Sequence, residues 1–525
     1  MRNSHAPGVL PAGNIKKLTG DIMTNTLLQG LQQASTIENT KGGQYYATSY
    51  DSNLDFFAGI SRYTSEEKIQ SAFSAAYEED RILALANLLY TLSIRSGKGE
   101  RRIFLECFKW LCHRHADSAV VMLSLIPEYG RWDYVLTAMH TPVEYEAVNM
   151  ISRQLYTDTH SDNPSLLAKW LPSVRTHGKN NPEARYLANA LGMSEKQYRK
   201  MLSELRGKIN VVEKMMSERK FSDIDYETVP TKAMLKYREA WQRQDENRYS
   251  QYLDAVKSGE KKINTAGLFC YEIVKKSHVS LYPEWYCDRD EQQISSEEEQ
   301  LLDLMWKNQK DFLAGNKSNV LVMADTSGSM TCCGGLPMAN SLGLAVYTAE
   351  RNHGYFHNYF MSFSSTPQLQ KVRGETIVEK LKNIKRIVAN TDIDAAFKML
   401  LDTAVNNSIP KNDMPSHIII ISDMEFDCGV MSKGGTNLHG WEDAFEEAGY
   451  KLPTIIFWNV AADINGFPAT KNDKDVCMIA GFSTSVLEHL LDLDNYSPVN
   501  TMMEVLSKYE AIIRDVARNK CGIEI

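Results

Sequence analysis

From about residue 54 to 312 the apolar positions recur at helical spacing. The stretch KIQSAFSAAYEEDRILALANLLYTLSI carries them at intervals of three and four, which predicts amphipathic helix. In GMSEKQYRKMLSELRGKINVVEKMMSERKF the punctuation is also legible. Ser194 with Gln197 three residues on fits a capping box, Gly207 fits a helix stop, and Asn210 with Glu213 repeats the start signal. Strand signals are nearly absent here, so serial helices in an α-solenoid or a large bundle are expected, without a strict repeat. After residue 318 the period changes. Short apolar runs fall at 320–324, 355–363, 417–422, 454–460 and 476–480, with helical segments between most of them. SHIIIISDMEFD and PTIIFWNVAA are continuous rather than alternating, as strands of a parallel sheet covered on both faces should be. Alternating strands and helices predict a doubly wound α/β domain. AGNKSN (314–319) reads as the joint, after a polar acidic stretch at 288–300.

A chain of 525 residues is too long for one core. The expected division is an N-terminal extension over 1–44, a helical module over 45–313 and an α/β domain over 318–525. The 43% apolar and 24% charged fractions are those of ordinary globular protein. No apolar run is long enough to span a membrane and no secretory h-region is visible, so no membrane partner is expected. Nine scattered cysteines, without a C-x-x-C pair, point to a reducing, cytoplasmic compartment. The adjacent Cys332 and Cys333 receive no role. The net charge of −8 hides a basic block: residues 151–276 carry +7, against −2 before them and −13 after them. That local excess keeps a polyanion partner open.

The candidate chemistry lies in NVLVMADTSGSM (319–330). Asp325, Ser327 and Ser329 follow a buried-strand pattern at D-x-S-x-S, where ligands of an open parallel sheet collect. Asp423 takes the same place after HIIIIS, and Thr391 sits at a loop-to-helix junction between them. Alternate residues of a tight loop point the same way. One direct carboxylate, three hydroxyls and an outer carboxylate suit a hard cation that keeps some waters, Mg²⁺ or Mn²⁺ rather than Zn²⁺. The competing reading is that these Ser and Thr residues only cap helices. Covalent chemistry is disfavoured: a D-x-D phosphotransfer site would need Asp at 327, Ser329 lacks the G-x-S-x-G elbow, and no His is placed as a base. Asp392 is expected to cap the next helix; Asp427 is unassigned.

On these motifs the second half resembles the von Willebrand factor A fold with its metal-ion-dependent adhesion site. The resemblance places the cation on Asp325, Ser327, Ser329, Thr391 and Asp423 and leaves one position open for a partner's carboxylate. The helical half, through SIRSGKGERRIFLECFKWL, IPEYGRWDYVL, MSEKQYRKMLSELRGKINVVEKMM and GEKKINTAGLFCYEIV in that order, resembles the TROVE module of Ro autoantigens. It looks closer still to an uncharacterised family of bacteria, viruses and plants with the same two parts. The match covers roughly 45–525. The implied fold class is α + α/β: a HEAT-like helical repeat module that closes into a ring, followed by a doubly wound, Rossmann-like A-type domain. The implied function is non-enzymatic binding of small structured or misfolded RNA on a basic outer surface.

SIRSGKGERR itself fails as a phosphate loop, because Lys98 is followed by Gly99 rather than Ser or Thr. It reads as a flexible basic turn. Arg131 and Asp133 read as a local ion pair, beside a packed Trp132 and Tyr129. The candidate RNA-binding residues are Lys196, Arg199, Lys200, Arg206, Lys208, Lys214, Lys261 and Lys262, with Arg219, Lys220 and Lys257 continuing the charge. Arg199 and Arg206, seven apart, should share a face. Tyr186 and Tyr198 are expected to be packed rather than to stack on bases. The alternative is a solvated helix face, because Glu195, Glu204, Glu213 and Glu218 are interleaved. A rival function is a protein-interaction scaffold that uses the metal to grip a partner's carboxylate without RNA. A metal-dependent nuclease is disfavoured by the single direct carboxylate.

Overall fold

The computed structural model describes residues 36–38, 44–176, 179–209, 211–281, 294–385, 390–426, 437–461, 466–491, 493 and 495–524. Asn210, Asp427, residues 282–293 and nearly all of the N-terminal extension lie outside the described residues. The architecture is an N-terminal helical region joined to a C-terminal α/β region built on a six-stranded mixed sheet.

Local polar residues set the helix ends. Asp51, Ser65, Asn181, Ser194 and Ser295 each accept a hydrogen bond from a first-turn backbone N–H. The capping box at Ser194 forms, the Gln197 side chain returning to the Ser194 backbone. Asp80 breaks what the apolar spacing presents as one long helix. Its backbone turns extended, it ends Glu66–Glu79, and its carboxylate accepts from Leu83 N to start Arg81–Leu92. Gly207 does not stop its helix: Glu195–Lys208 runs one residue past it and ends at an extended Ile209. A helix-interior glycine in open space is tolerated at roughly 1 kcal/mol.

The sheet order is β10-β9-β8-β5-β6-β7, with β5 (Val320–Ala324), β6 (Tyr359–Ser362), β7 (Gln368–Lys371), β8 (His417–Ser422), β9 (Thr454–Asn459) and β10 (Val476–Ala480). Every residue of β5, β8, β9 and β10 is buried, so both sheet faces are covered. The sheet is not wholly parallel, because β7 returns antiparallel along the β6 edge. Two short ribbons also occur in the N-terminal half: β1 (Thr36–Glu38) with β2 (Gln44–Tyr46), and β3 (Arg175–Thr176) with β4 (Lys179–Asn180). From β5 the chain crosses through Cys332–Arg351 to β6 on one side, then returns to β8 on the other. The β5/β8 carboxyl edge is therefore the topological switch point.

The two halves share one buried apolar core running from Tyr45 to Ala517. Arg81–Leu92 is buried at every position from Leu83 onward, because Pro498–Asp515 of the α/β half covers it. At the other end of the helical half, Cys270–Lys276 packs on Cys332–Arg351. Gly343 permits that approach, since a Cβ there would lie 3.0 Å from the Cβ of Cys270. The turn between Ser52–Gly59 and Glu66–Glu79 also reaches Cys270–Lys276. Arg62 makes two 3.0 Å hydrogen bonds to Glu100, donates to the Tyr271 hydroxyl at 2.7 Å, and lies 4.5 Å from the Phe482 ring centre. The turn at 94–100 differs from the flexible reading. Lys98 is only 3% exposed and donates to Phe57 O, while the Tyr509 hydroxyl donates to Ser96 O at 2.6 Å and Ser485 to Gly97 O at 3.4 Å. It is a packed seam between the halves. Among the described residues no helix is long and apolar enough to cross a membrane.

Candidate functional site

β5 is followed by Asp325, whose backbone N–H continues the ladder to Ile421 O at 2.9 Å. Its carboxylate is fully buried and held at both oxygens. Ser327 N donates to Oδ1 at 2.8 Å, and Ser422 Oγ donates to Oδ2 at 2.6 Å. Ser327 Oγ and Ser329 Oγ lie 3.0 Å apart at the mouth of the same turn. Asp423, 8% exposed, follows β8 and accepts from Glu425 N at 3.1 Å. Burial, and then the charge of Asp423, push the Asp325 carboxyl up to about 7, against the pull of the Ser422 and Ser327 hydrogen bonds. Two carboxylates and two hydroxyls thus converge, a donor set that fits a small hard ion. Thr391 is fully buried just before the helix Ile393–Asn406, and Asp392 caps that helix through Ala395 N at 2.9 Å. No set of three His, Cys, Asp or Glu side chains suited to a metal occurs among the described residues.

Two partners of this site escaped the sequence reading. Ser422 is the last residue of a hydrophobic strand, and only strand register shows that it faces Asp325. Tyr45, from β2, donates its hydroxyl to Met424 O at 2.7 Å and accepts from Phe426 N at 3.0 Å. Nothing local to either segment signals that contact. Cys332 and Cys333 are exposed beside the site, and Cys332 is pushed up to about 11 by partial burial, Cys333 and Asp423.

The basic residues divide. Lys196, Arg199 and Lys200 are exposed on Glu195–Lys208 at positions i, i+3 and i+4, with no side-chain partner among the described residues. Arg206 does not join them. It follows Leu205 and lies one turn after Leu202, at the edge of the buried stripe. Its guanidinium donates to Ala168 O at 2.8 Å, Leu171 O at 2.7 Å and Ser173 Oγ at 2.7 Å, and burial pulls it below its ordinary value. It closes the end of Leu167–Trp170 instead of facing solvent. Lys208 reaches Thr159 O and Ser161 O at 3.4 and 3.5 Å, Lys214 donates to Gly207 O, and Lys261 lies 3.8 Å from Glu227. Lys262 uses its backbone, with its N–H toward Glu227 and its carbonyl accepting from Tyr252. Of the interleaved acids, Glu195 pairs with Arg185, Glu213 with Lys169 and Glu218 with Lys220, none with the exposed trio. Tyr198 is packed, with its hydroxyl donating to Pro172 O at 3.0 Å. Tyr186 is not packed: it is 39% exposed and donates to Glu144 at 2.6 Å. Arg131 and Asp133 form the ion pair, and Arg131 also stacks on Trp170 at 4.1 Å.

Comparison with known proteins adds the following. Residues 319–520 match a family model described as a domain of unknown function (DUF7788), and residues 39–129 with 149–314 match another so described (DUF2828). The chain is similar to the uncharacterized protein L728 of Acanthamoeba polyphaga mimivirus, at 28% identity over 515 residues, covering 89% of this chain and 86% of that protein.

Proposed function

We propose that this protein is a non-enzymatic RNA-binding protein of the Ro type. In this reading HEAT-like helices form a ring closed by a von Willebrand factor A-type domain, and small structured or misfolded RNA binds outside it. Asp325, Ser327, Ser329, Thr391 and Asp423 would hold Mg²⁺ or Mn²⁺, and the ion would offer an open position to a partner's carboxylate. The observation that carries the reading is the return of the helical half on itself. An early turn, through Arg62, meets Glu100, Tyr271 of Cys270–Lys276 and Phe482 of the α/β half, while the exposed trio on Glu195–Lys208 lies between Arg62 and Tyr271 in the chain. Free thiols at every described cysteine support a cytoplasmic setting.

Phosphate contacts release counterions, so affinity should fall steeply with salt. The test is to isolate RNA that co-purifies with the full chain and titrate it at several salt concentrations. Replacing Lys196, Arg199 and Lys200 together by Glu should weaken binding and flatten the log–log salt slope by about 2, at ~0.7 per contact on a single strand. Unchanged affinity and slope would remove this surface from the account. The scaffold reading, in which the cation site grips a partner without RNA, is favoured by the buried Asp325–Asp423 pair alone. It would take over if no salt-sensitive RNA binding were found.

A further inference from the structure

The loop that carries Asp423 is held from outside the α/β half. Met424 sits at φ +66°, a left-handed conformation that a non-glycine residue keeps only when its neighbours fix it. Two sets of hydrogen bonds fix it here. On the inner side, Ser422 Oγ accepts from Met424 N at 3.0 Å while donating to Asp325 Oδ2. On the outer side, the Tyr45 hydroxyl bridges the turn, donating to Met424 O and accepting from Phe426 N. Tyr45 is 4% exposed, and its ring lies 6.5 Å from that of Phe426 at an angle of 21°. β2 is itself anchored, because Tyr46 and Phe467 exchange both backbone hydrogen bonds at 2.9 and 2.8 Å. Gly466 lets the strap approach, since a Cβ there would stand 2.6 Å from the Cβ of Tyr45. The neighbouring loops are pinned in the same way. Ser61 Oγ donates to Ala461 O after β9, and Lys275 Nζ donates to Gly334 O at 2.7 Å after the serine loop.

We infer that Tyr45 is a positioning residue for the cation site: its phenol locks the Ser422–Phe426 turn so that Asp423 stands ready beside Asp325. The inference rests on the proposed role of these carboxylates in holding Mg²⁺. Tyr45 does not touch the ion. It acts by preorganisation, because without the bridge the turn relaxes in the metal-free protein and binding must restore it.

The test uses full-length protein and MgCl₂ alone. Mg²⁺ affinity is measured by calorimetry, and backbone hydrogen exchange over 424–426 by mass spectrometry, on wild type, Tyr45→Phe, Phe426→Leu and Asp325→Ala. Tyr45→Phe keeps the ring and loses only the hydroxyl. It should raise the Mg²⁺ Kd about tenfold and speed exchange in the turn, with circular dichroism unchanged. Phe426→Leu disturbs the ring stacking but keeps both hydrogen bonds, and should leave the Kd within about twofold. If Asp325→Ala abolishes binding while Tyr45→Phe binds as wild type does, the positioning role is overturned and the cation site stands. Should wild type and Asp325→Ala both take up no Mg²⁺, the cation reading fails and the inference with it.

Discussion

Removing Arg62 should damage this protein more than removing Arg62 and the charge of Glu100 together. Glu100 is 2% exposed and takes both of its side-chain hydrogen bonds from Arg62, at 3.0 Å each. Arg62→Met keeps an apolar stem of similar length and leaves a carboxylate buried at the meeting point of three segments. Breaking a buried pair from one side costs about 3–5 kcal/mol, because the surviving ion keeps its desolvation penalty and loses its partner. The guanidinium is also lost from the face of Phe482, worth about 1–2 kcal/mol in a desolvated setting. Adding Glu100→Gln removes the stranded charge. The double variant should therefore retain the stacking loss, the lost hydrogen bond to Tyr271 and the smaller cost of an unpaired neutral amide, about 3 kcal/mol below wild type. The assay is equilibrium urea unfolding followed by tryptophan fluorescence and by far-ultraviolet circular dichroism, with a double-mutant cycle built from the four proteins. A coupling energy of at least about 2 kcal/mol is expected. Equal destabilisation in the single and double variants would show that the seam depends on shape there rather than on charge compensation.

Two further outcomes follow from buried cations. Burial drives the Lys98 amine down to about 7 from 10.5; between those values the unfolded chain holds a proton that the folded one lacks. Stability should thus rise with pH across that window, by at most roughly 1.4 kcal/mol per pH unit, and level off below pH 7. Lys98→Met should abolish that part of the slope in urea titrations, and identical slopes would refute the assignment. Arg206→Ala should lower stability by about 2 kcal/mol, since it strips three part-buried acceptors of their donor. It should leave the salt slope of RNA binding unchanged, whereas a flattened slope would return Arg206 to the binding surface.

How far the sequence could be read depended on the range of the interaction that decides each feature. β5, β8 and β10 coincide with their mainly apolar runs, because burial on both faces favours apolar residues along them. β7, QLQK, is a half-exposed antiparallel edge and carries too few apolar residues to declare itself. Asp80 was hidden for the opposite reason: the apolar period continues through it, and only its cap geometry divides the helix. Arg206 shows the same limit on a helix surface. Spacing places it beside Arg199, but the three acceptors that take its guanidinium lie 33 to 38 residues away in the chain.

The candidate site repeats this division within a few ångströms. Asp325, Ser327 and Ser329 are legible because one tight loop must aim alternate side chains together, so their spacing is itself the geometry. Ser422 and Tyr45, which hold the carboxylates in place, have no such spacing, since their partners lie 97 and 379 residues away. The turn 94–100 differs from its composition on the same ground. Gly-Lys-Gly next to arginines has the composition of a solvated loop, yet Tyr509 and Ser485 from the far end of the chain close over it. Its lysine is buried where residues 96–98, Phe57 and Gly481 meet. Groups that could touch a ligand therefore lie in local patterns, while those that fix the ligand's seat come from wherever the halves meet. The seam between the halves thus bears on the candidate site as directly as the residues of the site itself.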